Sequence, residues 1–125
     1  MQVNIIIIDD DTNVRNVTTK ILERLGYGVF TAKEGDSALK IIQKLKDKIN
    51  CALIDLSIPG TNISDLTKKI RLINPNIIII IVSGSFFNEN DIKLRNIDFD
   101  KFLNKPYTMD QLNETLKSKI EPTLI

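Results

Sequence analysis

The chain has 125 residues, 42% hydrophobic, 26% charged and 6% aromatic, a balance that suits one soluble globular domain and leaves no room for two. Seventeen Lys and Arg face 16 Asp and Glu, and a net charge of +1 argues against a nucleic-acid-coating surface. One cysteine, Cys51, excludes an internal disulfide, and the lack of any histidine excludes Ser-His-Asp and Cys-His catalysis, histidine metal sites and a histidine phosphocarrier within this chain.

The first apolar run, Val3–Ile8, predicts a strand. Asp11 or Thr12 can cap the helix that follows, whose stripe is Val14, Val17, Ile21, Leu22 and Leu25. Gly26 stands where a helix ends on a residue of positive φ. Tyr27–Ala32 is a short second strand, and a second helix runs from about Asp36 to Lys46 with Ala38, Leu39, Ile41, Ile42 and Leu45 inward. Cys51–Leu56 is the third strand, and Pro59-Gly60 marks a turn. Ser64 caps a third helix with Leu66, Ile70 and Ile73 on its apolar side, and Asn74-Pro75 stops it. Ile77–Val82 is apolar at every position, as in a parallel strand covered on both faces. A short helix from about Asn88 to Arg95, a strand at Lys101–Leu103 and a last helix follow. Thr108 and Gln111 form the capping box of that helix, and Met109, Leu112, Leu116 and Ile120 its inner stripe.

The order is (βα)₅, which implies an α/β fold: a doubly wound parallel sheet with helices on both faces. The whole of 1–125 reads as one domain, with 121–125 as a tail. The first apolar run is too short for a signal peptide, and the longest falls far short of the roughly 20 residues that span a bilayer. The expected location is cytoplasmic.

Function in such a sheet gathers at the carboxyl ends of the strands. Asp9, Asp10 and Asp11 follow the first strand and Asp55 the third. Ser83-Gly84-Ser85 follows the fourth, and Lys105-Pro106 the fifth. Several carboxylates in one cleft need a cation, and hard oxygen ligands favour Mg²⁺ or Mn²⁺. Such a site suits a transferring phosphoryl group, with lysine and hydroxyl completing the balance. Asp55, after a buried run, is the candidate nucleophile. Cys51 reads as a small buried hydrophobe and not as a reactive thiol.

Four segments carry a resemblance: IIIIDDD at 5–11, LIDLSIPG at 53–60, IIVSGS at 80–85 and FLNKPY at 102–107. In this order, each at a strand end, they resemble the response-regulator receiver domain of the chemotaxis-regulator type. The resemblance covers essentially the whole chain. It implies a flavodoxin-like sheet of order 2-1-3-4-5. It implies that Asp55 accepts a phosphoryl group from a phosphohistidine on a sensor histidine kinase or a histidine phosphotransfer protein. Asp10, Asp55 and the main-chain carbonyl of Ser57 would ligate Mg²⁺ directly, and Asp9 through water. Ser83 would hydrogen-bond the phosphoryl group, Lys105 would pair with it, and Lys105-Pro106 would be a cis peptide. Ser83 and Phe102 take the switch positions, and the output face would be the fourth helix, fifth strand and fifth helix. No nucleic-acid or membrane contact is expected; the output protein is open, and a homodimer formed on phosphorylation is compatible with the reading. Met1 favours a stand-alone chain or an N-terminal fragment.

The sequence departs from the family pattern in places. Thr61-Asn62-Ile63 replaces the usual Asp-Gly ending, Asp98-Phe99 replaces a small pair, and Phe86 and Phe87 follow the Ser83 loop. Phe99 is expected to shift the fourth helix or the loop ahead of strand five. These departures motivate a rival reading: a receiver-like protein-binding module that signals without phosphorylation. A metal-dependent phosphatase with an aspartyl nucleophile is a third, weakened because Ser57 stands where such enzymes place a second acid. Ser57 and Ser85 are both small, so self-dephosphorylation is expected not to be unusually slow.

Overall fold

The structure is a computed structural model and describes residues 2–84 and 89–120. Expectations for Ser85, Phe86, Phe87, Asn88 and the 121–125 tail lie outside the described residues. In chain order the elements are β1 (Asn4–Ile8), α1 (Thr12–Arg24), β2 (Gly28–Ala32), α2 (Gly35–Leu45), β3 (Cys51–Asp55), α3 (Ile63–Ile73), β4 (Ile78–Ser83), α4 (Glu89–Leu94), β5 (Lys101–Asn104) and α5 (Met109–Lys117). The five strands pair in parallel in the order β2-β1-β3-β4-β5.

Successive strand residues point to opposite faces, so a run that is apolar throughout feeds two cores at once. Ile6, Ile8, Ala52, Ile54, Ile79 and Ile81 meet Ala38, Ile42, Leu66, Ile70 and Ile92 of α2, α3 and α4 on one side. Ile5, Ile7, Cys51, Leu53, Ile80 and Val82 meet Leu22, Leu112 and Leu116 of α1 and α5 on the other. A slip of one residue would exchange the two cores, so the register is strongly specified. Among the described residues no helix is long and apolar enough to cross a membrane.

The helix ends follow local chemistry. Asp11, not Thr12, is the N-cap of α1: its carboxylate accepts from Asn13 N and Val14 N. At the other end Gly26 has φ +95°, its N–H donates to the Glu23 carbonyl and Tyr27 N donates to that of Leu22, a Schellman closure. The capping box of Thr108 and Gln111 is formed.

Three sequence expectations are corrected. Val17 is 58% exposed, because the buried arc of α1 is centred on Thr18 and Leu22, with Val14, Ile21 and Leu25 partly buried beside them, and Val17 falls outside it. Ser64 is not a cap. The cap is Asn62, which accepts from Asp65 N; the helix therefore begins at Ile63, which is buried, and Ser64 Oγ donates to the Asn96 carbonyl instead. Met109 is 43% exposed, because the first residue of α5 precedes the part of the helix that meets the sheet. A 3₁₀ turn over Lys46–Lys48, unforeseen from the spacing, links α2 to β3, and Lys46 there has φ +46° and ψ −118°.

Phe99 is accommodated as a partly buried ring against the α2–α3–α4 core. The acids on either side of it both pair with Arg71 of α3: Nε to Asp98 at 3.1 Å and Nη2 to Asp100 at 2.8 Å. Arg71 Nη1 also donates to the Ile77 carbonyl at 2.7 Å, and Asp100 accepts from Ile79 N at 2.8 Å.

Candidate functional site

The carboxyl ends of β1, β3, β4 and β5 lie side by side, and each delivers at least one polar group. Asp9 follows β1, and its N–H donates to Ala32 at the end of β2. Asp55 is the last residue of β3, in register with Val82. Ser83 ends β4, and its carbonyl accepts from Lys105 N at 2.8 Å, which fixes the start of the loop after β5. The Lys105-Pro106 peptide is cis.

Lys105 reaches back across the sheet end. Its Nζ lies 3.0 Å from Asp9 Oδ2 and 3.3 Å from Asp55 Oδ1, bridging the two buried carboxylates. The other Asp9 oxygen accepts from Asp11 N at 2.9 Å. Burial holds the Asp55 carboxyl above the ordinary carboxylate range, with Lys105 opposing the shift and Asp9 reinforcing it. Burial alone would lower the Lys105 ammonium, but its hydrogen bond to Asp9 and the charges of Asp55 and Asp9 outweigh that and leave it raised. The pair is therefore poised as buried acids around one shared cation.

Asp10 is exposed at the mouth of the site. One carboxylate oxygen from each of Asp9, Asp10 and Asp55 can be chosen so that all lie within 4.8 Å of one another. That separation suits oxygen ligands around one hard cation. Ser57 is exposed on the loop after Asp55, and its main chain helps to lower the Asp55 carboxyl against the larger effect of burial. Ser83 is fully buried. At Gly84 an added Cβ would meet Lys105 Cβ at 3.5 Å, an ordinary contact, so packing does not demand glycine there. Phe102 lies in β5 opposite Ile81, half-buried against the α2–α3–α4 core. Asp9, Asp10, Asp55, Ser57, Ser83 and Lys105 thus share one end of the sheet, whereas Phe102 sits further down the edge strand.

Sequence reasoning missed two neighbours of this cluster. Thr18 Oγ1 and Tyr107 OH are 2.9 Å apart, joining α1 to the segment that carries Lys105. A polar residue at an inward helix position was the available signal for Thr18. The second is Arg15, whose guanidinium donates to the main-chain carbonyl of Asp9 at 2.7 Å.

A family model described as the response regulator receiver domain matches residues 5–117. Sporulation initiation phosphotransferase F of Bacillus subtilis (strain 168) is 27% identical over 119 residues, covering 94% of this chain and 93% of that protein. Sensor kinase CckA of Brucella abortus (strain 2308) is 30% identical over 120 residues. There the match covers 94% of this chain but 12% of the kinase, so the chain spans a small part of that relative. A solved response regulator receiver domain protein (CheY-like) from Methanospirillum hungatei JF-1 superposes with a TM-score of 0.84 at 30% identity, covering 99% of this chain and 98% of that one. The receiver domain protein from Clostridium thermocellum gives a TM-score of 0.87 at 24% identity, with 98% and 97% covered.

Proposed function

The chain belongs to the response regulator receiver domain family of two-component signalling, and from that premise we propose that Asp55 accepts a phosphoryl group from a phosphohistidine on a partner protein. The observation that carries this reading is the bridge from Lys105 to Asp9 and Asp55 at 3.0 and 3.3 Å. In the transfer, an Asp55 oxygen bonds to phosphorus as the donor's phosphorus–nitrogen bond breaks, and the electron pair leaves on the imidazole. Charge spreads over the phosphoryl oxygens in the transition state. The Lys105 ammonium, already held at the Asp55 carboxylate, stabilises that charge. The Ser83 hydroxyl, at the end of the adjoining strand, supplies a hydrogen bond to one phosphoryl oxygen.

Asp10, Asp55 and the Ser57 carbonyl would hold Mg²⁺, or Mn²⁺ in its place, with Asp9 acting through water. When bound, the ion neutralises charge on the carboxylates and on the incoming phosphoryl group. With no histidine among the 125 residues, these residues do not supply the donor. A sensor histidine kinase or a histidine phosphotransfer protein in the cytoplasm fits that need. Output runs through the α4–β5–α5 face, with Ser83 and Phe102 changing position between two populated states.

The test is intact mass after incubation with Mg²⁺ and acetyl phosphate, beside an Asp55→Asn control. A gain of one phosphoryl group that vanishes in the control and with chelator supports the reading. Absence of both phosphoryl gain and Mg²⁺ binding favours the module that signals without phosphorylation.

A further inference from the structure

Arg15 stands in the first turn of α1, where the free N–H groups make a positive end and a cationic side chain is out of favour. Its contacts explain its presence. Nη1 donates to the main-chain carbonyl of Asp9 at 2.7 Å, and Nη2 to Thr12 Oγ1 at 3.1 Å. The Asp9 carbonyl belongs to the peptide plane that joins Asp9 to Asp10. The fork of the guanidinium therefore ties that plane to the first residue of α1.

The two acids are held differently. The Asp9 carboxylate is gripped by Asp11 N and Lys105 Nζ. Among the described residues no side chain grips the exposed Asp10 carboxylate, so the backbone that carries it decides which of its staggered rotamers reach the cluster. That backbone is what Arg15 holds. The two cations also divide the work. Lys105 occupies carboxylate oxygens, whereas Arg15 lends its charge through a carbonyl and leaves the carboxylate oxygens open.

We propose that Arg15 is a positioning residue for a divalent cation: by fixing the Asp9–Asp10 peptide plane it aims the Asp10 carboxylate into the cluster. The inference rests on the Mg²⁺ reading above and adds a residue to it.

Its test turns on a sign. Removing a positive charge beside a cation site, taken alone, tightens cation binding. Losing a contact that orients a ligand weakens it, by about tenfold or more. Mg²⁺ is titrated calorimetrically into the full chain and into the Arg15→Met and Arg15→Lys variants, with circular dichroism melts to verify folding. The expected result is that Arg15→Met weakens Mg²⁺ binding by about tenfold. Arg15→Lys, which keeps the charge but lacks the fork, falls between the two. In the metal-free protein the Asp10 amide resonance shifts in Arg15→Met. Equal or tighter Mg²⁺ binding by Arg15→Met overturns the inference and leaves the metal site standing. Should Arg15→Met fail to fold, wild-type affinity in Arg15→Lys overturns it. A wild type that binds no Mg²⁺ removes the underlying reading, and the inference with it.

Discussion

Thr18 and Tyr107, 89 positions apart, share a hydrogen bond of 2.9 Å that fastens the middle of α1 to the segment following Lys105. Thr18 is 3% exposed, so its hydroxyl depends on this partner or on its own helix. Burial raises the Tyr107 hydroxyl above its ordinary range, with the Thr18 bond opposing, so it stays protonated at neutral pH. Tyr107→Phe is expected to cost about 1 kcal/mol in urea denaturation. Thr18→Val should cost a similar amount alone and add little in the Tyr107→Phe background, which a double-mutant cycle measures.

The bridge at Lys105 makes a prediction that separates stability from activity. Asp55 is a buried carboxylate beside a second one, and replacing it with a neutral isostere relieves both burial and repulsion. In chelator, Asp55→Asn is expected to melt a few degrees above wild type, on the order of 1 kcal/mol. Lys105→Met leaves the two acids without their shared cation, and should lower the melting temperature and slow uptake from acetyl phosphate by about 100-fold. Mg²⁺ should raise the wild-type melting temperature more than that of Asp55→Asn.

Cys51 is fully buried, and burial pushes its thiol far above the ordinary range, with the charge of Asp100 adding to the shift. The unfolded thiol titrates near about 8.5. Above that pH the unfolded chain has lost a proton that the folded chain keeps, so stability is full below it and falls as pH rises. Between about pH 8.5 and 9.5, below the tyrosine and lysine midpoints, the slope should build toward about 1.4 kcal/mol per unit. Cys51→Ala should flatten it, as chemical denaturation across that range would show. Thiol reagents should label the native protein only at its rate of opening.

Lys46 combines φ +46° with ψ −118°, a region that costs a side chain on the order of 1–3 kcal/mol. Its carbonyl is held by Ile49 N and by Asn74 Nδ2, so the turn stays in place when the side chain is removed. Lys46→Gly is therefore expected to gain about 1 kcal/mol after the added chain entropy of glycine is set against the relieved strain. A higher urea midpoint with an unchanged slope is the readout.

The residues most legible from sequence were those whose neighbours lie along the same run. Ile77–Val82 announces a strand covered on both faces because no position in it is polar. Asp9, Asp55 and Lys105 were legible because each ends a strand, and parallel strands end at one edge. What spacing left open depended on contacts across the fold. Val17 and Thr18 are neighbours on α1, and the centre of the buried arc, which falls on Thr18 and Leu22, decided which one turned inward. Asn62 and Ser64 are both good caps, and the burial of Ile63 selected the earlier one. Thr18 with Tyr107, and Arg71 with Asp98 and Asp100, are pairs that only the folded chain brings together.

The grip of Arg71 on Asp98, Asp100 and the Ile77 carbonyl sets how far a disturbance can travel. Asp100 immediately precedes β5 and is also bound to Ile79 of β4, so the lower end of the edge strand is bolted to α3 and to its neighbour at once. At its upper end β5 runs into Lys105, whose ammonium is engaged with the acids. If the proposed phosphorylation pulls on the upper end, the anchored lower end and the pairing with β4 leave the strand little room to slide. In the switch proposed above, any shift of Phe102, which pairs with Ile81 between the two ends, would be small, and so would the stroke offered to a partner on that face.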